Sequence, residues 1–149
     1  MGGNWAIDAL TRQAPQFNAV QAASGNVHHI EMTAEELSNG QLAYKMVKHV
    51  IDDGSSETTV TDRYSPDATI PGPVIVITEG DEVLLTIFND ITSRLDQQVS
   101  VHVHGVHYEI DSDGTLAHVN MVGDQGAYPA GSSLGPQSYQ YHWVAAPGT

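Results

Sequence analysis

The sequence has 149 residues, 40% of them apolar, with 14 glycines and 7 prolines, which suits a single globular domain with a buried core. Its 18 acidic and 5 basic residues give a formal charge of −13, which disfavours nucleic acid as a partner because phosphates would be repelled. It has no cysteine, which excludes disulfides, cysteine nucleophiles, thiolate-held zinc or iron–sulfur clusters and a blue copper centre from this chain.

The first part of the chain predicts an arm followed by a β-hairpin. Residues 1–25 lack clean periodicity and show no signal peptide, and no window of the chain is apolar enough to span a bilayer. Residues 27–32 have the pattern of a strand and residues 33–37 that of a turn or short helix. Residues 40–51 alternate as a strand that closes a hairpin with the first, and the polar residues 52–69 predict a loop.

The rest of the chain predicts further short strands separated by turns. The predicted elements are a strand at 74–78, a turn at 79–81, strands at 83–89 and 99–105, a loop at 111–137 and a last strand at 138–145. Six or more short strands with turn signals between them are typical of an all-β sandwich or barrel.

The stretch "VSVHVHG", residues 99–105 and here named the histidine segment, carries the most distinctive pattern. Successive side chains of a strand point to opposite faces, so the valines share one face while His102 and His104 share the other. Their Cα atoms would lie roughly 6.5 to 7 Å apart, which suits ligands of two neighbouring metal ions better than chelation of one. The alternative is a solvated polar face with no ligand.

Four of the other histidines, His28, His29, His49 and His118, read as structural. His28 and His29 are adjacent, so they point to opposite faces and do not share a site without a bulge. His49 and His118 are isolated in the sequence, and His107 lies in a loop beyond the histidine segment, where periodicity gives no direction.

A carboxylate-rich stretch follows the histidines and offers a rival interpretation. Glu109, Asp111, Asp113 and Gly114 match the first, third, fifth and sixth positions of a calcium-binding loop. The twelfth position would be Asn120 instead of the bidentate glutamate, which disfavours calcium. The acids are better read as a cluster that relays protons or anchors hydrogen bonds around a histidine-held metal.

Two stretches together carry a family resemblance. "IPGPVIVITEGDEVLLTIFND" followed by "VSVHVHGVHYEIDSDGT" resembles the N-terminal cupredoxin domain of multicopper oxidases, most closely the bacterial small (two-domain) laccases. The resemblance runs from about Val27 to the end. It implies a cupredoxin-like Greek-key β-sandwich or barrel at residues 26–149, after an N-terminal arm at residues 1–25.

The resemblance also implies roles for individual residues. His102 matches the family's ligand to the type 2 copper, and His104 matches a ligand to one of the type 3 pair. Tyr108 falls where small laccases carry a tyrosine near the trinuclear cluster, proposed to supply an electron, and Asp113 matches an acid associated with proton delivery. Val103 stands where many three-domain members have tryptophan.

Two departures from the family pattern shape the functional prediction. The family's first domain carries a second His-x-His motif, but His142 has no partner two positions away, so the chain is expected to be truncated at its C-terminus. The cysteine-containing type 1 site belongs to a second domain, which is absent here. In small laccases the cluster lies between the first domain of one subunit and the second domain of the next, in a homotrimer.

The resemblance therefore predicts the N-terminal copper-binding domain of a laccase-like oxidase, which takes electrons from phenolic or similar donors and reduces O₂ to water. The chain alone would be inactive, and the implied location is periplasmic or extracellular, with no nucleic-acid or membrane partner. The alternative is a stand-alone copper-binding or structural cupredoxin module without oxidase activity. A nitrite-reductase-type cupredoxin would need a type 1 cysteine, which this chain lacks.

Overall fold

The computed structural model describes residues 25–115 and 125–148. In these residues the chain forms five β-strands and two short 3₁₀-helices, with no α-helix. In chain order the elements are β1 (Val27–Glu36), β2 (Leu42–Asp52), β3 (Glu57–Thr59), a 3₁₀-helix (Thr61–Arg63), β4 (Glu82–Asn89), a second 3₁₀-helix (Ile110–Ser112) and β5 (Ser138–Val144). The all-β, cupredoxin-like prediction is confirmed, and no helix in the described ranges could cross a membrane.

The strands form one mixed sheet in the order β3-β2-β1-β4-β5. β1 pairs with β4 in parallel, and the other neighbours pair antiparallel. Because side chains alternate between faces, every second residue of β1 and β4 enters the core. The innermost of these side chains are Ile30, Leu85 and Ile87, which join Tyr141 and Trp143 of β5 in the main hydrophobic cluster.

The predicted hairpin of β1 and β2 is confirmed, but β1 is longer than expected. The turn or short helix predicted at residues 33–37 is wrong, since the strand continues to Glu36. Thr33 lies opposite Lys45 on one side and Phe88 on the other. The two ladders outweigh the local helix preference of the sequence.

Two predicted strands keep the alternation of a strand but lack a ladder. Residues 74–78 alternate between exposed and half-buried without pairing within the described part of the chain. In the histidine segment, only Val99 forms a bridge, with Ala127. Alternation reports which side faces the core, whereas a strand also needs a backbone partner.

The remaining predictions concern loops and termini. The strands predicted at 83–89 and 138–145 correspond to β4 and β5, and the loop at 52–69 contains β3 and a 3₁₀-helix. Nearly all of the predicted N-terminal arm, together with His118 and Asn120, lies outside the described residues.

Candidate metal centre

The loop that carries the carboxylates is anchored on β5. Trp143 Nε1 donates to the Ser112 carbonyl oxygen at 2.9 Å, and the backbone N–H of His142 donates to Ser112 Oγ at 3.0 Å. Buried Gln125 accepts from the Gly114 backbone N–H through Oε1 at 2.9 Å. These bonds hold residues 110–114 in one place against the sheet.

Gly114 lets this loop lie directly on the histidine segment. Its φ is +76°, a left-handed conformation that favours glycine. A Cβ at this position would lie 1.9 Å from the carbonyl oxygen of Val101. Because Gly114 has no side chain, the loop can approach closely enough for Asp113 to lie beside His102.

The structure brings the predicted site residues together. The rings of His102 and His104 lie 4.6 Å apart between centroids and nearly perpendicular, at 88°. The ring of Tyr108 lies 6.4 Å from that of His102. His102 Nδ1 lies 2.5 Å from the Asp113 carbonyl oxygen and 3.6 Å from its Oδ1. Both imidazoles are exposed, while Val101 and Val103 pack against the core, as alternation predicts.

The hydrogen bond to Asp113 fixes the tautomer of His102. A carbonyl oxygen only accepts, so Nδ1 carries the proton and Nε2 keeps its lone pair. Metal-binding histidines commonly donate their other ring nitrogen to a carbonyl or carboxylate in this way. The His102 ring is exposed, and its Nε2 has no hydrogen-bond partner among the described residues, which fits coordination of a copper ion. His104 offers a second imidazole beside it.

Tyr108 and Asp113 are linked to each other. The phenol of Tyr108 donates a hydrogen bond to the Asp113 carboxylate, and this bond raises the pKa of Tyr108 above its usual value, with burial adding to the effect. The predicted proton-carrying and electron-supplying side chains are thus in direct contact, next to a candidate ligand.

A complete metal site does not exist within the described ranges. They contain no group of three or more His, Asp or Glu side chains that could hold a metal ion, so they give no support to the calcium interpretation. His142 is occupied elsewhere, with Nε2 3.1 Å from Glu82 Oε2. His107 pairs through its backbone with Val144. Within the described ranges, His102 and His104 would not complete a metal site without further donors.

The structure also contains a second cluster of polar side chains, which the spacing of histidines in the sequence did not predict. His28 and His49, both predicted to be structural, contact each other and are buried. The pairing register of β1 and β2 explains this contact, because His28 lies opposite Ile51 and His49 lies opposite Ile30. The two histidines are therefore diagonal neighbours on the same face.

Comparison with known proteins identifies relatives of the chain. A family model described as multicopper oxidase matches residues 46–142, well over half of the chain. Multicopper oxidase MmcO of Mycobacterium tuberculosis is 37% identical over 75 residues, which are 50% of this chain and 14% of that protein. The matched region is thus a small part of the relative.

Proposed function

Because this chain is a cupredoxin domain of the multicopper oxidase family, we propose that His102 and His104 are copper ligands of a laccase-like oxidase. The observation that carries the proposal is the pair of exposed, adjacent imidazoles, with His102 oriented by the Asp113 carbonyl oxygen. His102 would serve the type 2 copper and His104 one of the type 3 pair. When bound, the trinuclear cluster supplies the electrons that reduce O₂ to water, drawn from phenolic or similar donors.

The chain's own residues would orient the ligand His102 and supply protons. The Asp113 carbonyl oxygen holds His102 in the tautomer that presents Nε2. The Asp113 carboxylate accepts from Tyr108 and lies near His102 Nδ1, so it is placed to hold a proton close to the ligands. Tyr108 would supply an electron through its phenol, whose proton has an acceptor in Asp113.

The remaining donors would come from a second cupredoxin domain, in a neighbouring subunit of a homotrimer. The proposal includes residues 26–149 as the cupredoxin domain after an N-terminal arm, and inactivity of this chain without the type 1 copper domain. Two features favour a shared site: the described ranges hold no complete metal site, and Val74 and Val76 are 75% and 77% exposed, as an interface requires. A periplasmic or extracellular location rests on family membership.

Copper binding tests the ligand assignment. We expect His102→Gln and His104→Gln each to weaken Cu(II) binding at least tenfold in calorimetric titration and to reduce nitrogen hyperfine coupling in the EPR spectrum. His142→Gln is the matched control, because His142 is also exposed but pairs with Glu82. Binding in the wild-type protein should weaken as the solution is acidified, because protons compete with copper for the ring nitrogens. Unchanged binding in both ligand variants would overturn the assignment.

Oxidase activity separates the enzyme from the alternative module. O₂ uptake with a phenolic donor is measured with this chain alone and with a type 1 copper domain of the family added. We expect turnover only in the second case, and its loss in His104→Gln. Copper binding without turnover in either case would instead identify a copper-binding module.

A further inference from the structure

Four side chains form a continuous hydrogen-bonded chain apart from the histidine segment. His28 Nε2 lies 3.2 Å from Asp81 Oδ2, and His28 Nδ1 lies 2.8 Å from His49 Nε2. His49 Nδ1 in turn lies 2.7 Å from the hydroxyl of Tyr64. His28, His49 and Asp81 are 2–3% exposed, so no bulk solvent separates them.

Asp81 sets the direction of every bond in this chain. Its carboxylate accepts from the backbone N–H groups of Asn26 at 2.8 Å and Thr78 at 2.7 Å. Burial opposes its ionisation, but these hydrogen bonds prevail and lower the pKa of Asp81, so the group is an anionic acceptor. His28 must therefore donate through Nε2, which leaves its Nδ1 to accept from His49 Nε2–H.

The bond between His49 and Tyr64, at the other end of the network, also has a fixed direction. With its proton on Nε2, His49 accepts through Nδ1 from the Tyr64 hydroxyl. Both histidines are then neutral, each with one donor and one acceptor satisfied. Asp81 carries the only negative charge among these four side chains.

We propose that the hydrogen-bonded network that runs from Asp81 through the two histidines to Tyr64 is a buried binding site for one proton. On uptake, His28 becomes an imidazolium between Asp81 and His49 and donates from both nitrogens. His49 stays neutral but moves its proton from Nε2 to Nδ1 and donates to the Tyr64 oxygen. The Tyr64 hydroxyl hydrogen turns away from His49, and no heavy atom needs to move.

A second proton has no place in this arrangement. It would set two imidazolium rings against each other, with an N–H of each facing the other across 2.8 Å. Burial, together with the charges of His28 and nearby Arg63, lowers the pKa of His49 to about 4. Asp81 is the only carboxylate in contact with the pair in the described ranges, whereas Lys48 and Glu57 line a pocket with His29, on the other face.

Proton uptake would change a surface that solvent can reach. Tyr64 and Arg63 line a cavity of about 340 Å³. Before proton uptake, the Tyr64 hydroxyl donates to His49 Nδ1. After proton uptake, its hydrogen points away from His49, where a group in that cavity can accept it. The site therefore converts acidification into a new hydrogen-bond donor on the cavity wall.

The tautomer of His49 is the decisive readout. We expect long-range ¹H–¹⁵N NMR spectra of the protein at pH 8 to show Nε2–H on both rings. Between pH 8 and pH 4.5 both rings should respond at one shared midpoint, with His28 becoming charged and His49 switching to Nδ1–H while it remains neutral. An unchanged His49 tautomer, uptake of two protons, or uptake of none would each overturn the proposal.

Two variants sharpen the test. Asp81→Asn removes the counter-charge and should lower the shared midpoint by at least one pH unit, a tenfold weaker affinity for the proton. His29→Gln, which changes the adjacent residue on the opposite face, should leave the midpoint unchanged. A midpoint that moves with His29 and not with Asp81 would contradict the assignment, and the tautomer readout decides the question if Asp81→Asn fails to fold.

Discussion

His102 and His28 are each held in one tautomer by an oxygen atom that accepts from one ring nitrogen. The acceptor is the Asp113 carbonyl oxygen at His102 and the Asp81 carboxylate at His28. The second nitrogen makes the difference, because it is free to coordinate at exposed His102 but accepts from His49 at buried His28. The second ring nitrogen is thus exposed at His102, as the proposed copper ligation requires, and buried against His49 at His28, as the proposed proton site requires.

The lowered pKa of His49 predicts acid sensitivity. The value is about 4 in the folded protein against 6.5 ordinarily, so between these pH values the unfolded chain binds more protons than the folded one. The contribution of His49 to the free energy of unfolding is therefore fully present above about pH 6.5. It is lost as the pH falls towards 4, by at most about 1.4 kcal/mol per pH unit. Urea denaturation at pH 7 and pH 5 measures this loss.

A pair of variants assigns that loss to His49. His49→Gln should reduce the difference in unfolding free energy between pH 7 and pH 5, whatever its effect at pH 7. His29→Gln keeps the buried pair and should show the wild-type difference. Equal pH dependence in wild type and His49→Gln would contradict the assignment.

At the scale of elements, the contact between the carboxylate loop and the histidine segment depends on Gly114. An added Cβ would strike the Val101 carbonyl oxygen, whereas Gly54, with a similar φ of +82°, has nothing within 4 Å of its Cβ position. Gly54→Ala should cost about 1 kcal/mol of stability through backbone strain alone, and Gly114→Ala should cost clearly more, towards 3 kcal/mol or beyond.

Metal binding provides the second readout for this pair. Displacement of the loop would remove the Asp113 carbonyl oxygen from His102, so Gly114→Ala should weaken Cu(II) binding about 10-fold or more, while Gly54→Ala should not. Thermal denaturation and calorimetric titration measure the two effects. If both variants lose equal stability and bind copper equally, the loop does not orient His102.

The sequence predicts elements where local pattern suffices and fails where a distant partner decides. Period-2 alternation finds β4 and β5, because each buries every second side chain along its core. β2 is a strand as predicted, but its buried residues do not follow a period of two, and its ladder with β1 contains a register shift. In the histidine segment, alternation predicts which side faces the core, but neither this segment nor residues 74–78 forms the predicted ladder within the described ranges. The pairing of His28 with His49 required the register of the hairpin, which no single-strand pattern contains.

The candidate site shows the same division. His102 and His104 were found from spacing, and their exposed common face agrees with the structure. The bond from His102 to Asp113 could not be predicted, because it depends on a left-handed glycine and on anchors from β5. Residue identity suggests the chemistry, whereas the loop geometry selects which nitrogen is free.

At the scale of the whole molecule, an apolar surface is left exposed on a strongly acidic protein. Ile70, Val74 and Val76 are 55%, 75% and 77% exposed. A chain of net charge −13 is repelled by its own copies unless apolar burial compensates. We therefore expect this apolar surface to be covered when the proposed second cupredoxin domain binds.

Val76→Lys tests this assembly. An ammonium group buried without a partner in an apolar interface is costly, so association with the second domain should weaken at least tenfold, about 1.4 kcal/mol. Val47→Lys is the control, because Val47 of β2 is also exposed, at 43%, but is not part of this surface. Sedimentation equilibrium measures association, and the melting temperatures of both variants should stay close to wild type. Equal association of both variants would show that the proposed assembly does not use this surface.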